Sequence, residues 1–409
     1  MKIRHAQRID VNIPFYCQRI ERAMYSCAQS HSERLYLCRI ETDNGLVGYG
    51  DGLYPPETEN LIGRNPFDVL FDDTVGTPAQ IALLDVCGKA AGVPAHKLLG
   101  AQVRGRCPIS WWSMDMAPDD WAAEAVESVK RGYTSFKMKA RPWFDLIEQV
   151  KTVSKVVPDD YQFDLDFNGW LLTPARAEQL LWQLDDLPNT GIYESPLYAW
   201  EDLAGARDLR QRVRNPIAEH FTPAVLDGDA SDGFVIAGAI NGIRQQATLA
   251  ANANKPFFLQ MVGSGLTAAY VVQMGSVLSH ARWPYISSHE IYEHDLLKDR
   301  LEVVDGYIAV PDTPGLGVEV DEKALERYRV DPDEPIPTEV LRSKRRITRI
   351  TWPGGARRRV HEFAGHSYCD AFTRGNLPSF EPGVSKELID DDGSDAFDKQ
   401  YQQLSERGP

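Results

Sequence analysis

SFKMKA (135–140), QFDLDFNGW (162–170), GIYESPL (191–197) and PIAEHFTP (216–223) share one pattern, a short β-prone run that ends on charged residues and gives way to a helical stretch. Asp166, Glu194 and Glu219 close three successive runs, one unit after the pair Lys137 and Lys139. Side chains two apart on a strand leave the same face. The two lysines therefore share a face, and so do Asp164 and Asp166, with Asn168 next along. Hard divalent cations such as Mg2+ take oxygen ligands from several directions, and three carboxylates on neighbouring strands supply them without cysteine or histidine. Two ammonium groups in a partly desolvated site compete for protonation, which brings one lysine down from its ordinary pKa of about 10.4 toward useful basicity. A metal site beside a base predicts enolate chemistry. One KxK pair on a strand, or one acid at a strand end, is commonly solvation or loop bracing; succession in consecutive units carries the reading.

Working outward, the same rhythm gives eight strand candidates: PISWW (108–112), TSFKMK (134–139), QFDLDF (162–167), GIYES (191–195), PIAEH (216–220), GFVIA (233–237), PFFLQ (256–260) and PYISS (284–288). Most intervals are about 25 to 28 residues, with amphipathic stretches such as DDWAAEAVESVKRG and PARAEQLLWQLDDL between them. Repeated β-then-α units favour parallel strands, and eight favour a closed barrel over an open doubly wound sheet. No GxGxxG or GxxxxGK[ST] follows an early strand, which argues against a nucleotide enzyme. The charged residues cluster near the C-terminal ends of the strands, where barrel active sites are built.

Before the barrel, LYLCRIET and LVGYGDG flank an Asp-Asn-Gly turn and read as a hairpin. Residues 78 to 99 then turn helical, with a break at Gly92 to Pro94, so an α+β N-terminal domain is expected. After the barrel, DGYIAVPDTPGLGVEVDEKAL returns to strand-and-turn grammar. The stretch 342–359, RSKRRITRITWPGGARRR, holds eight basic residues and no acid, and reads as a solvated or interface hairpin. The last thirty residues, with the acidic run LIDDDGSD, read as a polar surface tail.

Composition narrows the partners. The chain of 409 residues is 43% apolar and 25% charged, ordinary globular values with room for two domains. A formal charge of -15 opposes attraction to nucleic acid and anionic membrane. The six cysteines lack paired spacing, so neither zinc nor a disulfide framework is expected, and a reducing cytoplasm fits. Neither a signal-peptide core at the start nor an apolar run of membrane-spanning length is visible.

From near residue 1 to about residue 330 the sequence resembles the mandelate racemase and muconate lactonising group of the enolase superfamily. GLVGYGDG, LIGRNPFD, ALLDVCGKAAGVPAHKLLGAQVRGRCPI, SFKMKA, DFN, YESP and PDTPGLGVEVD carry the resemblance. It implies an α/β fold, a TIM-like (β/α)7β barrel with an α+β N-terminal capping domain completed by C-terminal segments. The expected boundaries are 1–105 for the cap, 106–300 for the barrel and 301–409 for the C-terminal return with the basic hairpin and tail. The resemblance makes Asp166, Glu194 and Glu219 ligands of Mg2+, Lys139 the base that removes the proton α to a carboxylate, and Lys137 its electrostatic partner, with Asn168 in support. An enediolate would follow, and a homo-oligomer is expected because the family commonly forms one.

The group's second acid or base is a His on the seventh strand with an Asp on the sixth, or a Lys on the sixth. Here the sixth reads GFVIAGAING and the seventh PFFLQMVGSG, with Gln260 about where the histidine would stand. His220, His289 and Glu290 are the candidates for the missing acid. Dehydration of a hydroxylated sugar acid, which needs only one base, is the leading reading; a racemase, epimerase or cycloisomerase and a catalytically decayed metal-binding homologue are the alternatives. Residues 11–33 and DGLYPPETEN would cover the mouth, and Arg19 and Arg22 suit a polar, hydroxylated acid. Trp111 and Trp112 either line the pocket or pack beneath it.

Overall fold

Three antiparallel strands and a tight turn build the N-terminal sheet. The computed structural model describes residues 1–26, 31–353, 358–362 and 367–407. Ile3–Asn12, Arg34–Thr42 and Val47–Gly52 pair antiparallel in that order. The Asp-Asn-Gly turn closes the hairpin as expected, with Gly45 at φ 84° and Leu46 O accepting from Thr42 N at 2.9 Å. The helix Thr77–Ala91 lies flat on this sheet because Gly48 and Gly50 have no side chains; a Cβ at either would stand 2.3 Å from a helix carbonyl. Later in the chain Arg329–Val330 adds to the other edge, pairing Val330 with Asp10. That short strand lies just past the stretch with strand-and-turn grammar, whose own strand, Tyr307–Ala309, pairs elsewhere.

Seven parallel strands form the second sheet in sequence order: Trp111–Ser113, Ser135–Lys139, Gln162–Asp166, Thr190–Glu194, Ile217–His220, Gly233–Ile236 and Phe257–Leu259. Helices such as Pro118–Lys130, Leu146–Ser154 and Pro174–Asp185 cover the outside, so most strand residues are buried on both faces, the charged ones included. The eighth candidate, 284–288, is no regular strand, yet it closes the ring. Ile286 bridges Gln260 on one side and Tyr285 bridges Ile109 on the other, both parallel. The first strand begins later than expected, because Arg106–Pro108 pairs instead with Tyr307–Ala309 in a small antiparallel sheet.

The C-terminal residues are corrected from a polar tail. Ser385–Asp390 is a strand and Asp395–Arg407 a helix. The strand pairs antiparallel with Arg346–Thr351, whose other edge carries Arg358–Glu362. The basic and acidic stretches find each other: Arg346 meets Asp390 at 2.8 Å, Arg349 meets Glu387 at 3.2 Å, and Arg345 meets Asp391 at 3.3 Å. Residues 354–357 of the basic segment and 27–30 of the expected cover lie outside the described residues.

Candidate active site at the mouth of the barrel

Strand register sets the row from which the site is built. Lys139 lies beside Asp166, Asp166 beside Glu194, and Glu194 beside Ala218, so Glu219 follows one residue on. Lys137, two residues back from Lys139, pairs with Asp164. All five charged groups are buried: Lys137 is 1% exposed, Lys139 9%, Asp166 0%, and Glu194 and Glu219 1% each. Burial of that many charges is costly unless they compensate one another.

Compensation is visible in the contacts. Lys137 Nζ lies 2.5 Å from Glu194 Oε2 and 3.3 Å from Asp166 Oδ2, while Lys139 Nζ donates to Asp166 Oδ2 and, at 3.2 Å, to Asn168 Oδ1. Ser195 Oγ donates to Glu219 Oε2 at 3.0 Å. Lys137 approaches Glu194 as a close ion pair. Two residues at the strand ends hold left-handed backbone, Asn168 at φ 45° and Ser195 at φ 43°. Each such conformation costs about 1 kcal/mol or more and persists where surroundings enforce it, often at functional sites. Here it turns Asn168 and Ser195 back onto the carboxylates.

The two lysines diverge electrostatically. Burial lowers the Lys139 pKa from its ordinary value, with Asp166 opposing and Lys137 assisting. Burial acts on Lys137 too, but Glu194 and Asp166 outweigh it and hold that ammonium above its usual value. Glu219 is pushed well above the ordinary carboxylate range by burial and then by Glu194 and Asp166, against the hydrogen bond from Ser195. For Asp166 burial is outweighed by the lysines, which keep it ionised.

The remaining candidates separate. His220 ends the fifth strand with Nε2 3.6 Å from Glu194 Oε1, at the edge of the cluster. His289 and Glu290 stand elsewhere. They line a pocket of about 490 Å3 with Arg131 and Tyr133, residues that precede the second strand, and with Asp295 and Arg300. His289 Nδ1 is engaged with Ser287 Oγ at 2.8 Å and lies 3.3 Å from Glu290 Oε2, and among the described residues neither residue forms an ion pair or hydrogen bond with the lysines. A turn, Ser288 to Ile291, carries them off the end of the barrel wall; their nearness in sequence to the eighth strand did not put them over the mouth. Gln260 hydrogen-bonds Lys137, so the seventh strand contributes an amide that cannot titrate.

Sequence reading passed over two further residues. Arg141 is buried, with its guanidinium on Asn168 Oδ1 at 2.8 Å and Ala140 O at 2.9 Å. It continues the alternation of Lys137 and Lys139, so same-face spacing could have found it. His31 packs on Trp112 with ring centroids 4.9 Å apart. Burial and then the fields of Lys139 and Lys137 lower its pKa to about 3, so the imidazole beside Trp112 is neutral. No local spacing links residue 31 to the barrel. Trp112 pairs with Lys137 in the strand register, so it lines this side of the mouth.

Among the described residues no three acidic, imidazole or thiol groups form a ready-made metal cage. The donors still suit a hard cation: an ammonium already sits between Asp166 and Glu194, and Glu219 feels two neighbouring carboxylates.

A family model described as enolase C-terminal domain-like matches residues 120–220 and 234–324. N-succinyl-L-Arg/Lys racemase of Bacillus cereus is 25% identical, over 73% of this chain and 90% of that one. D-gluconate dehydratase of Thermoproteus tenax is 24% identical, over 77% of this chain and 73% of that one. The crystal structure of a mandelate racemase/muconate lactonizing family protein from Azoarcus sp. EbN1 superposes with a TM-score of 0.66 at 26% identity, covering 81% of this chain and 98% of the other.

Proposed function

Since this chain is an enzyme of the mandelate racemase/muconate lactonizing group of the enolase superfamily, of lyase or isomerase type, we propose that it dehydrates a hydroxylated carboxylic acid, with Lys139 removing the proton α to the carboxylate. The observation that carries this reading is the buried pair of lysines with opposite pKa shifts beside three buried carboxylates.

The residues divide the work. Lys139 is the base, because burial and Lys137 favour its neutral form at the point where an α proton would be presented. Lys137 stays charged and, with Gln260, offers donors to developing negative charge. Asn168 orients Lys139 and is itself held by Arg141. Asp166, Glu194 and Glu219 would hold Mg2+, which supplies positive charge against the substrate carboxylate as the α proton leaves. Loss of that proton gives an enediolate. As the carboxylate re-forms, the C1=Cα bond of the enediolate shifts to a new Cα=Cβ bond and the Cβ–OH bond breaks, the hydroxyl leaving as water with the proton returned from Lys139; the resulting enol tautomerises to a 2-keto acid. No titratable side chain at the end of the sixth or seventh strand faces Lys139 among the described residues, which favours this one-base route over two-base racemisation. The D-gluconate dehydratase named above is a relative of the expected class.

The test is a screen of sugar acids with Mg2+ for 2-keto acid, in normal and deuterated water. Keto acid that disappears in Lys139→Ala supports dehydration. Deuterium entering the α carbon with no water lost would replace dehydration by isomerisation. For the metal, Mg2+ should raise the melting temperature of the unmodified protein and not that of Glu219→Gln; equal shifts would remove Glu219 from the ligand set.

A further inference from the structure

The family match ends at residue 324, yet the chain beyond it packs onto both sides of the mouth. On the capping side, the helix Pro337–Ser343 lies against the helix Gln18–Ser26. Thr338, fully buried, gives its backbone N–H to Glu33 Oε2 at 3.0 Å and its hydroxyl to the same oxygen. Arg342 donates to Met24 O at 3.0 Å, and the Arg346 guanidinium lies 4.4 Å from the Tyr25 ring centre. These contacts bracket His31.

On the barrel side, Lys386 Nζ meets Asp115 Oδ2 at 2.8 Å with side-chain exposures of 4% and 0%. The same oxygen accepts from Trp143 Nε1 at 2.8 Å, and the ammonium lies 5.0 Å from the Trp143 ring centre. Asp115 stands two residues past the first strand and Trp143 four past the second. Asp145 Oδ2 accepts from Gly383 N at 2.7 Å, Pro142 O accepts from Phe380 N at 2.9 Å, and Phe380 packs on Phe167, one past Asp166. Loops after the first three strands are therefore all gripped by residues 380–386. An ion pair this deeply buried is tolerated only with good geometry, and losing one partner is expensive, so its place between two chain segments is a constraint on where they sit.

We propose that the C-terminal appendage sets the geometry of the mouth, with Thr338 and Lys386 as positioning residues that act through Glu33 and Asp115 to keep His31 packed on Trp112 beside the lysine pair and so limit access to Lys139. The part concerning catalysis rests on the reading of Lys139 as the base; the part concerning the cover does not. The appendage does no chemistry itself. It fixes how far the capping segment stands from the barrel loops, and so how closely a substrate is enclosed.

The experiment measures acetylation of Lys139 by a water-soluble succinimidyl acetate, read by mass spectrometry against the exposed Lys155 in the full-length protein. Thr338→Val and Lys386→Met should each raise the Lys139 rate about fivefold, the scale of a small local opening. Lys155 should be unchanged, the melting transition should stay cooperative, and Thr338→Ser and Lys386→Arg should restore slow labelling. Slow labelling in both disruptive variants would overturn the proposal. So would a rise that the conservative variants share, or one that tracks loss of the whole fold. If Lys386→Met does not fold, Thr338→Val carries the test alone, since it leaves Asp115 and its partners intact. The labelling needs neither metal nor substrate. Its failure would count against the brace and leave the reaction standing, whereas absence of keto acid from every sugar acid would do the reverse.

Discussion

The barrel mouth and the C-terminal sheet are both dense in opposite charges, and they differ in access to water. At the mouth Lys137 meets Asp166 with side-chain exposures of 1% and 0%; in the sheet Arg349 meets Glu387 at 26% and 58%. The same pairing of residue types has different consequences in the two places. In water a charge pair is screened, and its net worth is about 0 to 1 kcal/mol. Inside the barrel the partners have no water to fall back on, so each group's protonation is set by the others. Charge in the C-terminal sheet only accompanies a pairing made by the backbone ladder, whereas charge at the mouth is available for chemistry.

The largest expected effect lies at the mouth. Lys139→Ala should lower formation of keto acid by roughly 10²- to 10⁴-fold, the usual contribution of a positioned base. Product formation at the unmodified rate would reduce the mouth to another structural ion cluster. Next in size, Lys137→Met should lower stability in urea by about 3 to 5 kcal/mol, because Glu194 and Asp166 lose a buried partner. A change below about 1 kcal/mol would erase the contrast with the exposed sheet.

Glu290 sharpens the same comparison, as a carboxyl buried to 5% exposure whose backbone donors, including that of Trp112, do not offset its burial. Burial pushes its pKa from 4.5 up to about 8. Below pH 4.5 the folded and unfolded chains both hold the proton, so this group contributes no pH dependence. Between 4.5 and 8 the unfolded chain releases it while the folded chain keeps it, so stability falls as pH rises through that window and levels off above it. Denaturation curves at pH 5 and pH 8 should differ by about 2 to 4 kcal/mol more in the unmodified protein than in Glu290→Gln. Equal differences would show that this carboxyl is solvated. The smallest effect belongs to the sheet: Arg349→Met should change stability by less than about 1 kcal/mol, and less still at high salt.

Much of the barrel was legible because its signals are local. The alternation that placed Lys137 and Lys139 on one face is a property of any extended strand, and seven of the eight strand candidates coincide with paired strands. Local reading failed where a turn intervened. His289 and Glu290 were grouped with the mouth because they follow the eighth strand closely, but the turn from Ser288 leads them to a different pocket. The supposed tail misled for another reason: LIDDDGSD is largely exposed, as its composition suggests, but only its register against Arg346–Thr351 shows that it begins in a paired strand.

By itself the sequence determined the order of strands and helices, the Asp-Asn-Gly hairpin, and the faces from which the lysines and the three acids project. Each of these follows from periods of two or about 3.6 residues and from the backbone freedom of turn residues. Tertiary structure alone decided that His31 covers Trp112, that the ring closes through Tyr285 and Ile286, and that Lys386 reaches Asp115 from 271 residues away. The physical reason is that such contacts arise from burial and charge compensation between segments whose meeting no local period records.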